Sequence, residues 1–411
     1  MKIFLTIVSL TIVFYTSAQH CGTTEYIQEH SVNKQLTQRI QAPKAESRDT
    51  LKDEVIIIPV VVHVLYNTTA ENISDEQIIS QINSLNKDYR RQNADAVNTP
   101  AAFKNVAADV RIQFCLAKVD PQGYYTSGII RKYTKEQDFL NDDAVKFSAQ
   151  GGDDAWDATK YLNLWVCNLF NLTLGYGVLP GSPLNKDGVV IKYNVFGTVG
   201  NLVAPYNKGR TATHEIGHWL GLKHLWGDSS CGDDGIADTP PQQAGNYGCS
   251  SFPHLSQCSI NSYGDMFMNY MDFSDDACMN MFSQGQKAEM RGLFALGGAR
   301  NSFLNSTVCD SSNAEAGPLP KPVDSELKIT IYPNPFNNVI HVTTNQEKDI
   351  TGKVLRLYSI TGKLCVTQTI VSANTVVNVN NLPSGIYILK IQGKNDEQVY
   401  KVVKQPGGMS N

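Results

Sequence analysis

The stretch His214-Glu215-Ile216-Gly217-His218-Trp219-Leu220-Gly221-Leu222-Lys223-His224 sets the reading of the whole chain. On a helix, His214 and His218 are four residues apart and share a face, so two imidazoles can meet one metal ion. Glu215 lies beside them, placed to reach a metal-bound water without being a ligand. Gly221 can take the positive φ that ends a helix. The turn then carries the chain back, and His224 supplies a third nitrogen. Three protein ligands and an open fourth position are what a catalytic zinc requires. The plainer reading is an ordinary amphipathic helix, but five fixed positions favour the metal.

Outward from this motif, residues 211–222 are predicted helical. Upstream, residues 55–65 form a nearly continuous β-branched run, suited to a strand buried on both faces. His63 falls in that run and reads as a core histidine. Ser74 and Gln77 form a capping box ahead of a helix carrying Ile78, Ile82, Leu85 and Tyr89. Val110, Ile112, Phe114 and Leu116 alternate with polar residues in a second strand. Residues 161–170 and 188–194 read as further strands, and residues 284–296 as a helix. Strand, helix, then more strands imply a twisted sheet with helices packed on it.

Between these, residues 225–282 are rich in Gly, Asp, Ser, Pro and Cys and show little periodicity. A stretch that long stays ordered only when stapled or metal-bound. Cys231, Cys249, Cys258 and Cys278 crowd there and read as two bridges. Cys115 and Cys167 sit in apolar runs, as buried thiols or as a pair. Cys21, Cys309 and Cys365 are isolated in sequence. The odd total of nine cysteines leaves at least one thiol unpaired in a monomer.

The chain of 411 residues is long enough for two or three domains. Lys2, a short apolar run and Thr16-Ser17-Ala18 predict a signal peptide over residues 1–18. That run is too short to span a bilayer, so no transmembrane segment is expected in the mature chain. Residues 19–52 are polar and read as a pro-segment, or more plainly as a disordered arm. Residues 53–309 carry the zinc motif, and 310–326 read as a Pro-rich linker. Short alternating strands over 327–411 predict an all-β sandwich. The net charge of −4 gives no reason to expect a nucleic acid or an anionic membrane as partner.

The eleven-residue motif, with Asn269-Tyr270-Met271-Asp272-Phe273 as a methionine turn, resembles the metzincins. Residues 231–240, the His-Leu-Trp-Gly-Asp stretch from His224 and residues 275–282 resemble the pappalysin group within them. That resemblance implies an α+β fold: a zincin catalytic domain with a twisted mixed sheet and an irregular C-terminal subdomain. It also implies Met271 as the floor beneath a zinc ion, and the pairings Cys231–Cys258 and Cys249–Cys278. It further implies a structural calcium ion, with Asp233, Asp234, Asp238 and Thr239 as oxygen ligands; the alternative is a solvated acidic turn. Cys21-Gly22-Thr23-Thr24-Glu25-Tyr26 resembles a pro-segment whose cysteine sits on the zinc, making Cys21 a latency switch. Relatives commonly have a tyrosine hydroxyl at the position of Phe273, to steady the oxyanion. Its absence leaves Tyr270 or Tyr263 as substitutes, or the zinc alone.

Ile331-Tyr332-Pro333-Asn334-Pro335-Phe336 and Leu382-Pro383-Ser384-Gly385-Ile386-Tyr387 resemble a type IX secretion sorting domain. That resemblance implies export, with the secretion machinery as partner. The expected function is a secreted or surface-attached zinc endopeptidase acting on protein or peptide substrates, with Glu215 as general base. An extended substrate is expected along an edge strand near residues 188–193. Asp275 and Asp276 are candidates for favouring a basic residue after the cut. The alternative is a surface binding or adhesion protein with a weakened zinc site.

Overall fold

A computed structural model describes residues 21–30, 54–258, 263–315, 329–344, 351–372, 374–392 and 397–405. The expected signal peptide, most of the pro-segment and most of the linker lie outside these residues. The chain divides into two compact units, Met1–Gly317 and Pro318–Asn411. No described helix is long and apolar enough to cross a membrane.

The first unit is organised by β1 (Ile56–Tyr66), whose β-branched run is buried on both faces except near its ends. The sheet runs β2 (Ile112–Leu116), β1, β4 (Leu162–Cys167), β6 (Gly188–Lys192) and β5 (Gly175–Gly177). A further strand, β3 (Ile129–Tyr133), pairs with the second half of β1. All pairs are parallel except β5 with β6. The expected substrate edge near 188–193 is therefore corrected: β6 is interior, because the short glycine-flanked β5 adds one more strand outside it.

Side chains alternate across the sheet, so register assigns them to faces. His63, Trp165, Val190 and Tyr176 are lateral neighbours on one face. Val62, Leu164, Val189 and Gly177 share the other. Helix α3 (Arg210–Trp219) crosses that second face. A Cβ on Gly177 would lie 2.6 Å from the Glu215 carbonyl oxygen, and one on Gly175 would lie 3.0 Å from Glu215 Cγ. Glycine at both positions lets the helix approach. His63 is fully buried, bonded to Asp153 and Asn163 and stacked on Trp165.

Helix α2 (Asp75–Tyr89) starts with Ser74 Oγ accepting from Gln77 N–H. The other half of the expected capping box is absent. The Gln77 amide instead donates to the carbonyls of Tyr193 and Phe196, holding the loop after β6. Tyr89 at its end donates to the Thr213 carbonyl of α3, 3.0 Å away.

Among the described residues, no helix or strand lies between Trp219 and Phe282. Bridges Cys231–Cys258 and Cys249–Cys278 staple that segment, with Cα separations of 5.4 and 5.6 Å. Helix α4 (Gln284–Gly292) follows behind a complete Ser283–Gln286 capping box. Cys115 pairs with neither of its sequence readings. It bridges to Cys309 across 194 positions, tying β2 to the end of the unit, and leaves Cys167 as a buried thiol.

The second unit holds two antiparallel sheets. One is β11 (Asn374–Asn378), β8 (Val339–Thr344) and β7 (Ile329–Tyr332). The other is β10 (Leu364–Thr369), β9 (Val354–Ser359), β12 (Gly385–Gln392) and β13 (Glu397–Lys404). Ile340, Val342, Leu355, Leu357 and Leu389 from the two sheets share one core with Phe336. Two antiparallel sheets on one shared core make the expected β-sandwich.

Candidate active site

All ten residues of α3 are buried. Its N-terminus lacks a side-chain cap at Gly209. Asp276 serves in that place: its Oδ2 accepts from the backbone N–H of Lys208 (2.7 Å) and Arg210 (3.3 Å). A carboxylate there also complements the helix dipole. The C-terminus closes as a Schellman motif. Gly221 has φ +89°, its N–H bonds the His218 carbonyl, and Leu222 N–H bonds the Gly217 carbonyl. That turn swings His224 back toward the helix.

The three Nε2 atoms of His214, His218 and His224 lie 3.1–3.2 Å apart. Each Nδ1 faces an acceptor: the Tyr270 carbonyl for His214, the Leu222 carbonyl for His218 and the Asp228 carboxylate for His224. With the protons on Nδ1, three Nε2 lone pairs converge on one point. A bound cation relieves that arrangement, and nitrogens about 2.0–2.1 Å from a zinc ion would sit at such spacing. Burial, then the neighbouring His224, holds His218 down to about 3, so it is neutral as a ligand must be. The donor set fits zinc.

Glu215 is buried on the same helix. Burial pushes its carboxyl up to about 8, against lowering hydrogen bonds from Thr23 and Cys21. Below the histidines, Met271 is fully buried. A Cβ on Gly217 would lie 2.4 Å from its sulfur, so any side chain there must displace the methionine. Asn269 bonds Met271 N–H and pairs doubly with Gln286, linking this turn to α4.

Cys21 lies at the same point. Its Sγ is 3.5 Å from His218 Nε2 and 3.4 Å from Glu215 Oε2. Cys21 and the three histidines offer ligand atoms all within 4.8 Å of one another. Burial, then the charge of Glu215, pushes the thiol up. Thr23 Oγ1 donates to Glu215 Oε2 at 2.9 Å and accepts from Gly177 N–H. Gly22 N–H bonds the Gly175 carbonyl at 2.8 Å, and Cys21 bridges to Gly175 in parallel.

The acidic loop is less convergent. Asp238 is engaged by Ser283 Oγ and Gly285 N–H at the start of α4. Asp233 accepts from Gly235 N–H. Asp234 Oδ1 accepts from Ile236 N–H and Thr239 Oγ1, while its buried Oδ2 has no hydrogen-bond partner. Among the described residues these carboxylates do not gather into one ligand group. Asp234 Oδ2, buried and without a hydrogen-bond partner, is the oxygen of this loop that fits a cation.

Beside the histidines opens a small pocket, lined by Leu174, Tyr206, Thr211, Phe273, Asp276 and Met279 among others. Asp276 is buried and pushed up to about 6 by that burial. Asp275 is not part of this lining. Phe273 stands against His214, His224 and Trp226 at ring separations of 5.8, 4.8 and 4.8 Å. Tyr270 is no substitute for the missing hydroxyl, because its OH is buried and donates to Asp88. Tyr263 packs its ring on Phe103 and lies outside the pocket lining. Tyr247 is the hydroxyl-bearing side chain against Phe273, 5.8 Å between rings.

Sequence reasoning missed Asp228 and Thr23. Asp228 was legible as a carboxylate four residues after the third histidine. Nothing in the sequence placed Thr23 on the base.

The pregnancy-associated plasma protein-A family model matches residues 147–295, and the secretion system C-terminal sorting domain model matches residues 330–405. An extracellular metalloprotease of Arthroderma otae is 32% identical over 247 residues, covering 57% of this chain and 76% of its own. One of Neurospora crassa is 30% identical over 285 residues, covering 66% and 86%. Among solved structures, Tannerella forsythia mature mirolysin with a cleaved peptide is 53% identical at a TM-score of 0.60, over 61% of this chain and 96% of that one. A mutant of Tannerella forsythia promirolysin is 48% identical at a TM-score of 0.66, over 70% and 97%. The metal-ready histidines and the matches together show that the chain belongs to the pregnancy-associated plasma protein-A family of metalloproteases and carries a C-terminal secretion sorting domain.

Proposed function

We propose that this metalloprotease is an exported endopeptidase in which His214, His218 and His224 hold zinc and Glu215 is the general base. The convergence of three Nε2 atoms beside a buried carboxylate carries the reading. Held by these histidines, a zinc ion would lower the pKa of a bound water and polarise the scissile carbonyl. Glu215 takes the proton and delivers it to the leaving amine. The outer edge of β5 orients an extended peptide through main-chain hydrogen bonds. Phe273 and Trp226 exclude water from the third ligand. The pocket beside His214 takes the side chain after the cut, and Asp276 within it favours Lys or Arg.

In the precursor, Cys21 and Thr23 occupy these groups. With zinc bound, Cys21 would serve as a thiolate ligand, its proton passing to Glu215 3.4 Å away, and Thr23 would hold the base. The homologous pro-form and the geometry at Cys21 support latency by this route. In the acidic loop, Asp234 Oδ2 is the proposed calcium contact; calcium should raise the melting temperature, and Asp234→Asn should remove the rise.

The test is hydrolysis of casein by the processed protein. Activity should vanish with a chelator and in Glu215→Ala, and Cys21→Ala should activate prematurely. Equal behaviour of wild type and Glu215→Ala would return the chain to the binding-protein reading.

A further inference from the structure

Helix α1 (Thr23–His30) does not stay on the zinc side of the sheet. Cys21 and Thr23 meet Glu215 on the face crossed by α3, where Gly175 and Gly177 make room. One helical turn later, Tyr26 stacks on Tyr176, with rings 5.2 Å apart and 26° between planes. Tyr176 lies between those two glycines in β5, so it faces the opposite side. The pro-segment thus hooks over the edge strand.

The far side of the hook ends in a built cradle. Tyr26 donates to Asp143 Oδ2 at 2.8 Å. Lys146, fully buried, sits 2.7 Å from Asp143 Oδ1, 5.2 Å from the Tyr26 ring centre and 5.0 Å from that of Tyr176. Lys186 reaches Asp143 Oδ2 at 3.0 Å. A buried carboxylate between two ammonium groups, roofed by an aromatic face, suits a phenol. The hydroxyl donates to the carboxylate, and the ring receives the cation.

We propose that Asp143, Lys146, Lys186 and Tyr176 form a tyrosine-binding site occupied by Tyr26, which anchors the pro-segment independently of Cys21. Latency then has two anchors on opposite faces of one strand. Loosening the thiol leaves α1 seated, and loosening the phenol leaves the thiol on the histidines. Full release requires both, or a cut that lets the whole hook depart. The assignment rests on the protease reading only in treating the covered site as catalytic; the cradle itself does not depend on it.

Amide hydrogen exchange on the full-length chain, with Glu215→Gln in every sample to block self-processing, tests the anchor. Tyr26→Phe, which removes one hydrogen bond to a charged group, should raise exchange across residues 23–30 about tenfold. Tyr26→Ala should raise it about a hundredfold. Both increases should recur in a Cys21→Ser background, with β1 amides unchanged as proof of folding. Exchange at the parent rate in Tyr26→Phe and Tyr26→Ala would overturn the proposal. So would complete release of residues 23–30 by Cys21→Ser alone. In the Glu215-intact chain, the lag before casein hydrolysis should shorten in the same order. A processed wild type that never cleaves casein would sink the protease reading while the exchange result still judged the cradle.

Discussion

The groups that meet at the three histidines come from two regions ordered by different means. The sheet and α3 are held by apolar burial: Val62, Val64, Leu164, Val166 and Ile216 are all fully buried. The segment from 225 to 281 lacks regular elements among its described residues. It is held by two bridges and by buried carboxylates such as Asp272, which accepts from Asn246, Gln242 and Phe273. The sheet side supplies Glu215, His214 and His218; the stapled side supplies Met271, Phe273 and Asp276. On the proposed reading, the base and two of the three metal-binding histidines therefore lie on a helix, while Phe273 and Asp276 of the pocket lie on the stapled segment, where side chains can change without unsettling a core.

Four experiments can break or sharpen that contrast. The largest effect is expected on the sheet side: Glu215→Ala should lower kcat/KM by about ten-thousandfold with zinc content unchanged. A loss under tenfold would mean that the base lies elsewhere. Next, removing the Cys249–Cys278 bridge by paired serine substitution should cost about 2–5 kcal/mol in denaturant unfolding. Leu164→Ala in the sheet should cost a similar ~2–5 kcal/mol but show no dependence on reductant. Equal sensitivity of parent and bridge-less chain to dithiothreitol would erase the distinction.

Where the regions touch, Gly217→Ala should destabilise by about 1–3 kcal/mol, because its Cβ meets the Met271 sulfur. Combined with Met271→Ala, the two losses should fall short of additive; full additivity would show that the contact carries no energy. The smallest effect concerns selection. Asp276→Asn should cut the preference for lysine over norleucine after the cut by about tenfold. Because burial raises Asp276 to about 6, that preference should be weak when the carboxyl is protonated below pH 6 and strengthen above it. A preference flat from pH 5 to 7.5 would remove Asp276 from the pocket's role.

Much of the site was local and therefore legible. The histidine spacing and the helix-ending glycine encode their own geometry. The alternating strands of the second unit were readable for the same reason. What escaped was long-range. The Cys115–Cys309 bridge joins residues 194 apart, and neither sequence neighbourhood shows it. The edge strand is only three residues, two of them glycine, too short to register as a period-two pattern. Gln77 looked like a capping residue because its spacing fits, but tertiary carbonyls compete for its amide. Asp238 reads as a metal ligand from the loop's composition, but its hydrogen bonds from Ser283 and Gly285 at the start of α4 are long-range and leave no local signal.

The short strand β5 has one more consequence, in terms of solubility. An uncovered sheet edge is a template for pairing with another chain. Here Gly22 and Thr23 bond to the outer side of Gly175 and Gly177. A precursor in transit would thereby be spared a sticky border, and release of the segment would open that border to extended peptides. On the proposed latency, the segment that silences the site would also cover the edge on the way out.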